Sequence, residues 1–482
     1  MGPLEYALIS LGGIIAILII VIIARTLAFR PKSTFSTEGG EVEFDRERAL
    51  LNLRELVMCK TVSHYDKSEE DDGEFEKFVS LIPKLYPHFA EKCPLTRFDG
   101  RALLYKWEGK THDAPSVMMS HYDVVPVDEE SWDKPPFGGV IEDGVLWGRG
   151  TLDTKATLAS ALFAADHLIA KGFVPECDVY FAFSGGEEVN GCGARCIVDY
   201  FEQNAITPSL VLDEGGAVVD NVFPGVKKSA ALIGVAEKGM INMEYSIKGG
   251  GGHASAPKPH SPVGILSMAC NRMESHPFKY KMCEPVSEMF SNLGRNSTFL
   301  YRIIFANLWA FGWVINLLGK LSGGEINAMV RTTVAFTQME GSSAPNVIPT
   351  SARMVSNSRL NPKDSVASAY EYIKKTVGDD RIEVKILESH EPSRVSIPYT
   401  DGYNRVGESI TATWGDVIVS PYLMVQCSDS RHWGRISDRV YRFSAMDMTS
   451  EERATIHGNN ERIRAEALER ATEFYIRLLG KC

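Results

Sequence analysis

Hydrophobic positions along this chain change their spacing several times, and each change marks an element. Residues 7–24, ALISLGGIIAILIIVIIA, are uncharged and almost wholly apolar, long enough to cross a bilayer with little tilt. A polar linker follows at about 31–43, PKSTFSTEGGEVE. Arg46 to Cys59 and Glu74 to Leu85 then carry apolar residues at helical spacing. Beyond them short apolar runs alternate with longer helical stretches. SVMMSH (116–121) reads as a strand, KATLASALFAADHLIAKGF (155–173) as a helix, DVYFAFS (178–184) as a strand, ARCIVDYFEQN (194–204) as a helix and SLVLDE (209–214) as a strand. Strands apolar at nearly every position are covered on both faces, which a largely parallel sheet between helices provides. The expectation is an α/β layer architecture.

Near residue 240 the pattern switches. MINMEYSIKG alternates with a period of two, as a half-exposed strand does, and KGGGGHASAPKPHSP is a glycine- and proline-rich loop. A long helical stretch, strand-like TTVAFTQME (332–340) and SARMVSNSRL (351–360), and a helix at SVASAYEYIKKTVG (365–378) complete an α+β unit. From about 396 helix and strand signals resume, ending in the helix NERIRAEALERATEFYIRLLG. At 482 residues the chain exceeds one ordinary core. The simplest organisation is an N-terminal segment with its linker (1–44), an α/β domain in two parts (45–238 and 396–482), and a smaller α+β domain between them (239–395). Inside that smaller domain, STFLYRIIFANLWAFGWVINLL (297–318) is strongly apolar. It reads as a buried helical hairpin or extra packing. The sharper alternative is an acyl-chain channel or a contact with the bilayer, and Arg302, Asn307 and Asn316 argue against a second full span.

Composition narrows the partners more than the reaction. With 51 Lys and Arg against 62 Asp and Glu, the formal charge of −11 argues against a nucleic-acid partner. Nine cysteines fall at scattered positions, and the close pair Cys192 and Cys196 lacks the C-x-x-C form of a structural zinc site. The apolar N-terminal run has an acidic residue before it, Glu5, and no small-x-small cleavage site, so an uncleaved anchor is expected over a cleaved signal peptide. Arg25, Arg30 and Lys32 after the span would keep the body cytosolic by the positive-inside rule. NST at 296–298, a glycosylation acceptor, points the other way.

Candidate chemistry concentrates where strands end. SGGEEVNG (184–191) sets two adjacent carboxylates in glycine after a strand. A turn there lets both face one site, and their repulsion calls for a bound cation, a shared proton or simple exposure to water. His121 and Asp123 lie in SHYDVVP, Asp153 in WGRGTLDTK before a helix, Asp213 at the end of SLVLDE and His457 in TIHGNNE before the last helix. Open α/β sheets bind ligands at the carboxyl ends of their strands, so these groups can meet. Singly, each is an ordinary cap or turn residue; together, at successive element ends, they are hard to dismiss. Imidazole nitrogen and carboxylate oxygen without thiolate suit zinc, and also cobalt or manganese. The number of groups exceeds one tetrahedral ion and matches two ions sharing a carboxylate.

In order and spacing, SHYDVVP, GRGTLDTK, GGEEVNG, LDEGG, GGGGHASAP and the late IHG resemble the M20 family of metallopeptidases. The likeness is greatest to its carboxypeptidase S branch, which includes the N-fatty-acyl-amino-acid synthase/hydrolases, and it covers about residues 45 to 480. It implies a zinc-exopeptidase-like α/β catalytic domain with an inserted α+β lid and dimerisation domain, a homodimer being among the implied assemblies. It also implies two zinc ions per subunit: His121 and Asp213 on one, Glu188 and His457 on the other, and Asp153 between them. Asp123 would orient His121, Glu187 would be the general base, and His253 would stabilise the oxyanion, often from the partner subunit. Asn346, Arg359 and Arg431 match substrate-contacting positions, including those for a free carboxylate. In LDEGG, Asp213 and Glu214 compete for one ligand role, and spacing favours Asp213. The implied reaction is cleavage, and reversibly formation, of the amide bond of N-acyl amino acids. C-terminal trimming of peptides is the alternative, and a non-catalytic binding protein of this fold is the remaining rival. Members of the branch work in the secretory pathway or vacuole, so the anchored body is expected there, or secreted if the segment is cleaved.

Overall fold

The computed structural model describes residues 2–32, 35–36, 39–223 and 225–482, so four residues of the expected linker, 33–34 and 37–38, lie outside the described residues. Helix α1 (Pro3–Ala28) covers the apolar N-terminal run, and one 18-residue window of it, with hydropathy 3.1, is 0% buried. Helix α2 (Arg46–Val57) starts on Asp45, whose side chain accepts from the Arg48 amide. The chain then enters an eight-stranded sheet through β1 (Leu95–Phe98), β2 (Ala102–Trp107), β3 (Thr111–His121), β4 (Cys177–Ser184), β5 (Leu210–Val219) and β6 (Ala230–Glu237). Helices α3 (Lys155–Ala170) and α4 (Gly193–Gln203) connect β3 to β4 and β4 to β5. It leaves for a second, four-stranded sheet, β7 (Gly239–Lys248), β8 (Thr333–Glu340), β9 (Ser351–Leu360) and β10 (Glu383–His390), and returns for β11 (Ile418–Met424) and β12 (Val440–Asp447).

The large sheet has the order β1-β2-β4-β3-β5-β12-β6-β11. Its centre is parallel, with Met118 opposite Phe181 and Leu212, and Tyr441 opposite Leu212. The edge β1-β2-β4 is antiparallel. A largely parallel sheet was expected, and the difference at this edge has a simple cause: residues 99–101 and 108–110 are too short for crossovers, so β2 must run against β1 and against β3, and hence against β4, which is parallel to β3. Both faces are covered. Met118, Phe181 and Phe183 pack in one apolar cluster with Leu158 and Leu162 of α3 and Phe474 of the C-terminal helix over 465–479, whereas Val117, Met119, Tyr180 and Ala182 pack with Ile197 and Phe201 of α4.

The second sheet, order β8-β9-β7-β10, is antiparallel throughout. Its alternating strand β7 buries Ile241, Met243, Tyr245 and Ile247 beneath α5 (Pro262–Ser275) and the later helix over 366–377. Among the helices that follow α5 are α6 (Glu284–Arg295), α7 (Phe299–Ala306) and α8 (Leu308–Ser322). Helix α9 (Val366–Val377) covers the second sheet beside α5, and helix α10 (Ala465–Leu479) is the C-terminal helix of the chain's α/β part. The apolar 297–318 stretch is α7 and α8, bent by 108° at Asn307. Of the expected buried hairpin or extra packing, the structure shows packing on one side: Phe305, Ala306 and Ile315 are buried, but Trp309 and Trp313 are exposed.

Candidate metal centre

Strand ends and the loops beside them bring six acidic and imidazole side chains together. His121 is the last residue of β3. Glu187 and Glu188 sit in a single helical turn just after β4, closed by Asn190 in the left-handed conformation at φ 53°. Asp153 precedes α3, and His457, also left-handed at φ 58°, comes from the loop before α10. His121 Nε2 lies 2.9 Å from Asp153 Oδ1 and 3.4 Å from Glu214 Oε1. The other oxygen of Asp153 lies 3.0 Å from His457 Nε2, which is itself 3.1 Å from Glu188 Oε2. One carboxylate therefore faces two imidazoles, one through each oxygen. Ligand atoms of His121, Glu187 and Glu214 lie within 4.8 Å of one another, as do those of His121, Asp153 and Glu188.

Buried acids hold this arrangement from behind. Asp123, 0% exposed, accepts from Ser63 Oγ at 2.7 Å and from the amides of Glu187 and Glu188 at 3.1 and 3.2 Å. Its backbone carbonyl takes His121 Nδ1 at 2.9 Å. That contact puts the proton on Nδ1 and leaves Nε2 free to bind a cation. Glu461, also 0% exposed, accepts from Arg149 Nη1 at 2.7 Å and from the amides of Gly150, Leu152 and Asp153 at 3.0, 2.7 and 3.2 Å. Arg149 donates in turn to the Gly458 carbonyl at 2.7 Å, so one ion pair secures both the Asp153 loop and the His457 loop.

On β5 the side chain that faces the cluster is Glu214. Asp213, 2% exposed, accepts instead from the Ser430 amide at 2.9 Å. The cause is a bulge: Asp213 pairs with Arg442 and Gly216 with Phe443, leaving 214 and 215 unpaired and breaking the alternation of faces. Gly215 at φ 139° permits it, since a Cβ there would sit 2.6 Å from Met424 Sδ. Spacing favours Asp213 only on an unbroken strand, which β5 is not.

The electrostatics are those of a site built for cations. Burial pushes the Glu187 carboxyl well above its ordinary range, His121 pulls it back, and Asp429, Glu214 and Glu188 add to the push. Burial likewise lifts Glu214 to about 8, against the pull of His121 and with Asp153 adding to the rise. Asp153 goes the other way: burial raises it, but its bonds to His121 and His457 hold it below the usual carboxylate range. Those bonds, with Glu188, lift His457 to about 10. Without an ion, protons must neutralise the cluster. The donor set, imidazole nitrogen and carboxylate oxygen with no thiolate, fits zinc, cobalt or manganese.

The remaining expected residues lie around this cluster. Arg431 donates to the Ser428 carbonyl at 2.9 Å and to Asn190 Oδ1 at 3.2 Å, which ties it to the Glu187–Glu188 turn. Arg359 on β9 faces Asn357 Oδ1 at 3.1 Å and Cys427 Sγ at 3.1 Å. His253 and Asn346 belong to a small exposed ribbon: His253 pairs with Val347, its Nδ1 is 2.7 Å from Ser255 Oγ, and the Asn346 carbonyl accepts from the Ala254 amide at 3.0 Å. His253 is not one of the clustered ligand groups among the described residues. Sequence reasoning missed Glu461, Ser63 and Asp429, whose Oδ2 takes Ser184 Oγ at 2.5 Å. Asp429 lies two residues before Arg431, and Glu461 closes the TIHGNNE stretch that holds His457, so both had a neighbour to flag them; Ser63 had none.

The model of peptidase family M20/M25/M40 matches residues 117–481. The chain belongs to that family. It is an enzyme family of metallohydrolases, and this M20 chain is similar along nearly its whole length to the N-fatty-acyl-amino acid synthase/hydrolase PM20D1 of Xenopus tropicalis: 33% identical over 481 residues, 98% of this chain and 93% of that protein. The probable carboxypeptidase S-like 2 of Dictyostelium discoideum is 33% identical over 435 residues, 89% of this chain and 83% of that protein. Among solved structures, the M20 family metallo-carboxypeptidase Sso-CP2 from Sulfolobus solfataricus aligns with a TM-score of 0.65 at 20% identity, covering 90% of this chain and 98% of that one. The Bacillus subtilis YXEP protein, described as a dinuclear metal binding peptidase of the M20 family, aligns at 0.56 and 14%, covering 90% and 97%. These likenesses bear out the α/β metallopeptidase fold and the family expected from the motifs.

Proposed function

We propose that this M20 chain is a dinuclear zinc amidohydrolase that cleaves, and reversibly forms, the amide bond of N-acyl amino acids. The observation that carries the reading is the bridging posture of Asp153, 2.9 Å from one imidazole Nε2 and 3.0 Å from the other. His121 and Glu214 would complete one ion's ligands and His457 and Glu188 the other's, with Glu214 replacing the Asp213 of the sequence expectation. Two such ions, when bound, polarise the scissile carbonyl and make water nucleophilic near neutral pH.

The chain's own groups do the rest. Glu187 Oε takes a proton from the attacking water and delivers it to the departing amide nitrogen; its high proton affinity in this buried setting suits a group that must both accept and return one. Asp123 fixes the Glu187–Glu188 turn and the His121 ring together. Arg431, beside Asn190 of that turn, presents its fork to the substrate's free carboxylate. Arg359 and Asn346 contact the remainder of the substrate, and His253, exposed on its ribbon beside Asn346, reaches the oxyanion from a partner subunit. The same site serves C-terminal trimming of peptides, a second reading kept because the carboxypeptidase S-like relative is as similar as the synthase/hydrolase. α1, apolar and unburied, acts as a retained anchor in a membrane of the secretory pathway.

The test is metal content by mass spectrometry with amino-acid release from N-acyl amino acids and blocked dipeptides, for the parent and Glu187→Gln. Two zinc per chain, with acyl-substrate turnover lost about 10²–10⁴-fold in the variant while the metal stays, is expected. Turnover of the dipeptides alone moves the protein to the carboxypeptidase reading, and a metal-free inactive protein overturns both.

A further inference from the structure

The apolar pair α7–α8 packs against the body on one side only. Phe305 stacks its ring among Phe223 and Phe290 with centroids 6.0 and 5.7 Å away, Ile315 is buried, and Asn316 accepts from Arg331. On the other side Trp309, Trp313, Leu317 and Leu321 recur every fourth residue of α8, 58%, 63%, 46% and 76% exposed. Phe299 and Leu300 of α7 are exposed as well, at 54% and 73%. An apolar stripe of this kind on one face, with the opposite face docked on protein, marks a surface for another phase or partner. Fifteen residues are too few for α8 to cross the ~30 Å hydrocarbon core.

The end of α1 decides between occupants. Arg25 donates through Nε and Nη2 to the Ala306 carbonyl at 3.3 and 3.2 Å, and Asn307 Nδ2 reaches Thr26 Oγ1 at 3.2 Å and the Ile22 carbonyl at 3.3 Å. Thr26 is 0% exposed. Phe29 belongs to the same apolar cluster as Phe305, with the Arg295 guanidinium 4.4 Å from its ring centre, and Arg295 also donates to the Arg30 carbonyl at 3.2 Å. The last turn of the apolar helix is thus clamped to the bend between α7 and α8, with no slack between them. Where α1 emerges from a bilayer, the bend must lie at the same depth. The residue types agree, because tryptophan concentrates at the membrane–water boundary and the long side chains of Arg25, Arg30 and Lys32, just past the span, can reach headgroup phosphates.

We propose that α8 is an interfacial helix, lying in the plane of the bilayer beside the anchor with Trp309, Trp313, Leu317 and Leu321 in the lipid. The edge of the large sheet formed by β6 and β11, which shares an apolar cluster with α7 and α8, is thereby held against the membrane, so the body cannot swing freely on its linker. The inference rests on α1 being a retained anchor. It predicts a monotopic contact of the kind amphipathic surface helices make, buried ~5–10 Å into the headgroup boundary.

The experiment uses the full chain in lipid nanodiscs whose phosphatidylcholine carries bromine either near the headgroup end of the acyl chain or at its far end, with intrinsic tryptophan fluorescence as the readout. The other five tryptophans, Trp107, Trp132, Trp147, Trp414 and Trp433, are buried or half-buried in the body. Quenching stronger with the shallow bromines, and mostly lost in the double variant Trp309→Phe, Trp313→Phe, is expected. Both positions are exposed and the replacements aromatic, so folding is unaffected. If the chain stays with the nanodisc but the double variant is quenched as the parent is, α8 is not in the lipid and the proposal fails while the anchor stands. If the chain does not stay with the nanodisc, the anchor reading fails and the proposal with it. If Trp313→Glu converts a detergent-solubilised dimer to monomer and leaves quenching unchanged, a second copy covers the stripe and the proposal is overturned.

Discussion

Replacing Glu461 tests whether the site is held from behind in the way its hydrogen bonds indicate. One oxygen of this carboxylate takes Arg149 Nη1 and the Gly150 amide at 2.7 and 3.0 Å, and the other takes the amides of Leu152 and Asp153 at 2.7 and 3.2 Å. Glu461→Ala strands a guanidinium whose side chain is 3% exposed, leaving it only the Gly458 carbonyl and the Trp132 ring. Breaking one side of a buried ion pair costs about 3–5 kcal/mol, so ~4 kcal/mol is expected. Glu461→Gln keeps the volume and one oxygen but turns an NH₂ toward two donors, for which ~2 kcal/mol is expected from the hydrogen bonds lost to a charged acceptor. The second consequence is at the metals. Without its anchor the Asp153 amide is free to move, and changes to groups that position ligands weaken metal binding by roughly 10–100-fold. Urea unfolding in chelator gives the first quantity, and zinc titration against a competing dye gives the second. A Gln variant that unfolds at the parent's midpoint and binds zinc with the parent's affinity refutes the reasoning.

Three further outcomes separate the remaining roles. Glu214→Gln is expected to lose one zinc per chain and Asp213→Asn to keep both, because only Glu214 faces His121; metal analysis showing the reverse restores the sequence expectation. Metal-free protein is expected to lose stability as pH rises, since Glu214 moves from 4.5 to about 8 and His457 from 6.5 to about 10, so the folded state holds more protons than the unfolded between those values. Zinc must displace those protons, so its affinity is expected to climb through the same window, with proton release visible by calorimetry in buffers of different ionisation heat; a pH-independent affinity contradicts it. Arg431→Lys is expected to raise KM for N-acyl amino acids about 10-fold, from loss of ~1.5 kcal/mol of bidentate contact, and to leave their methyl esters unchanged; equal effects on acid and ester would remove Arg431 from carboxylate binding.

Much of this was legible in the sequence for physical reasons. Uniformly apolar strands can only be buried on both faces, and Met118 and Val117 do pack under different helix layers. The period-two run at 240–249 does bury every second residue beneath helices. Groups at strand ends do meet, because a sheet with parallel central strands brings those ends to one edge, and so His121, Asp153, Glu188 and His457 fell out of the motifs together. Glu461 did not, since an acid before a helix reads the same whether it caps a surface turn or neutralises a buried arginine.

Asp213 and Glu214 show where a pattern argument stops. Adjacent residues on a regular strand face opposite sides, so spacing alone chooses one of the two, and it chose the residue that here accepts from the Ser430 amide. The choice is reversed by two unpaired residues at the β5 bulge, and that bulge depends on Gly215 fitting against Met424 and Arg442, contacts formed by strands more than two hundred residues later. The same limit explains the α7–α8 pair. An apolar run specifies that its residues avoid water, but not whether protein or lipid replaces it. The proposal of lipid rests on a handful of polar bonds, Arg25 and Asn307 chief among them, that lock the end of one apolar helix to the bend of another. Without those bonds Trp309 and Trp313 would be ordinary exposed residues; with them, the two side chains are fixed relative to the end of α1, which is what the proposed interfacial helix requires.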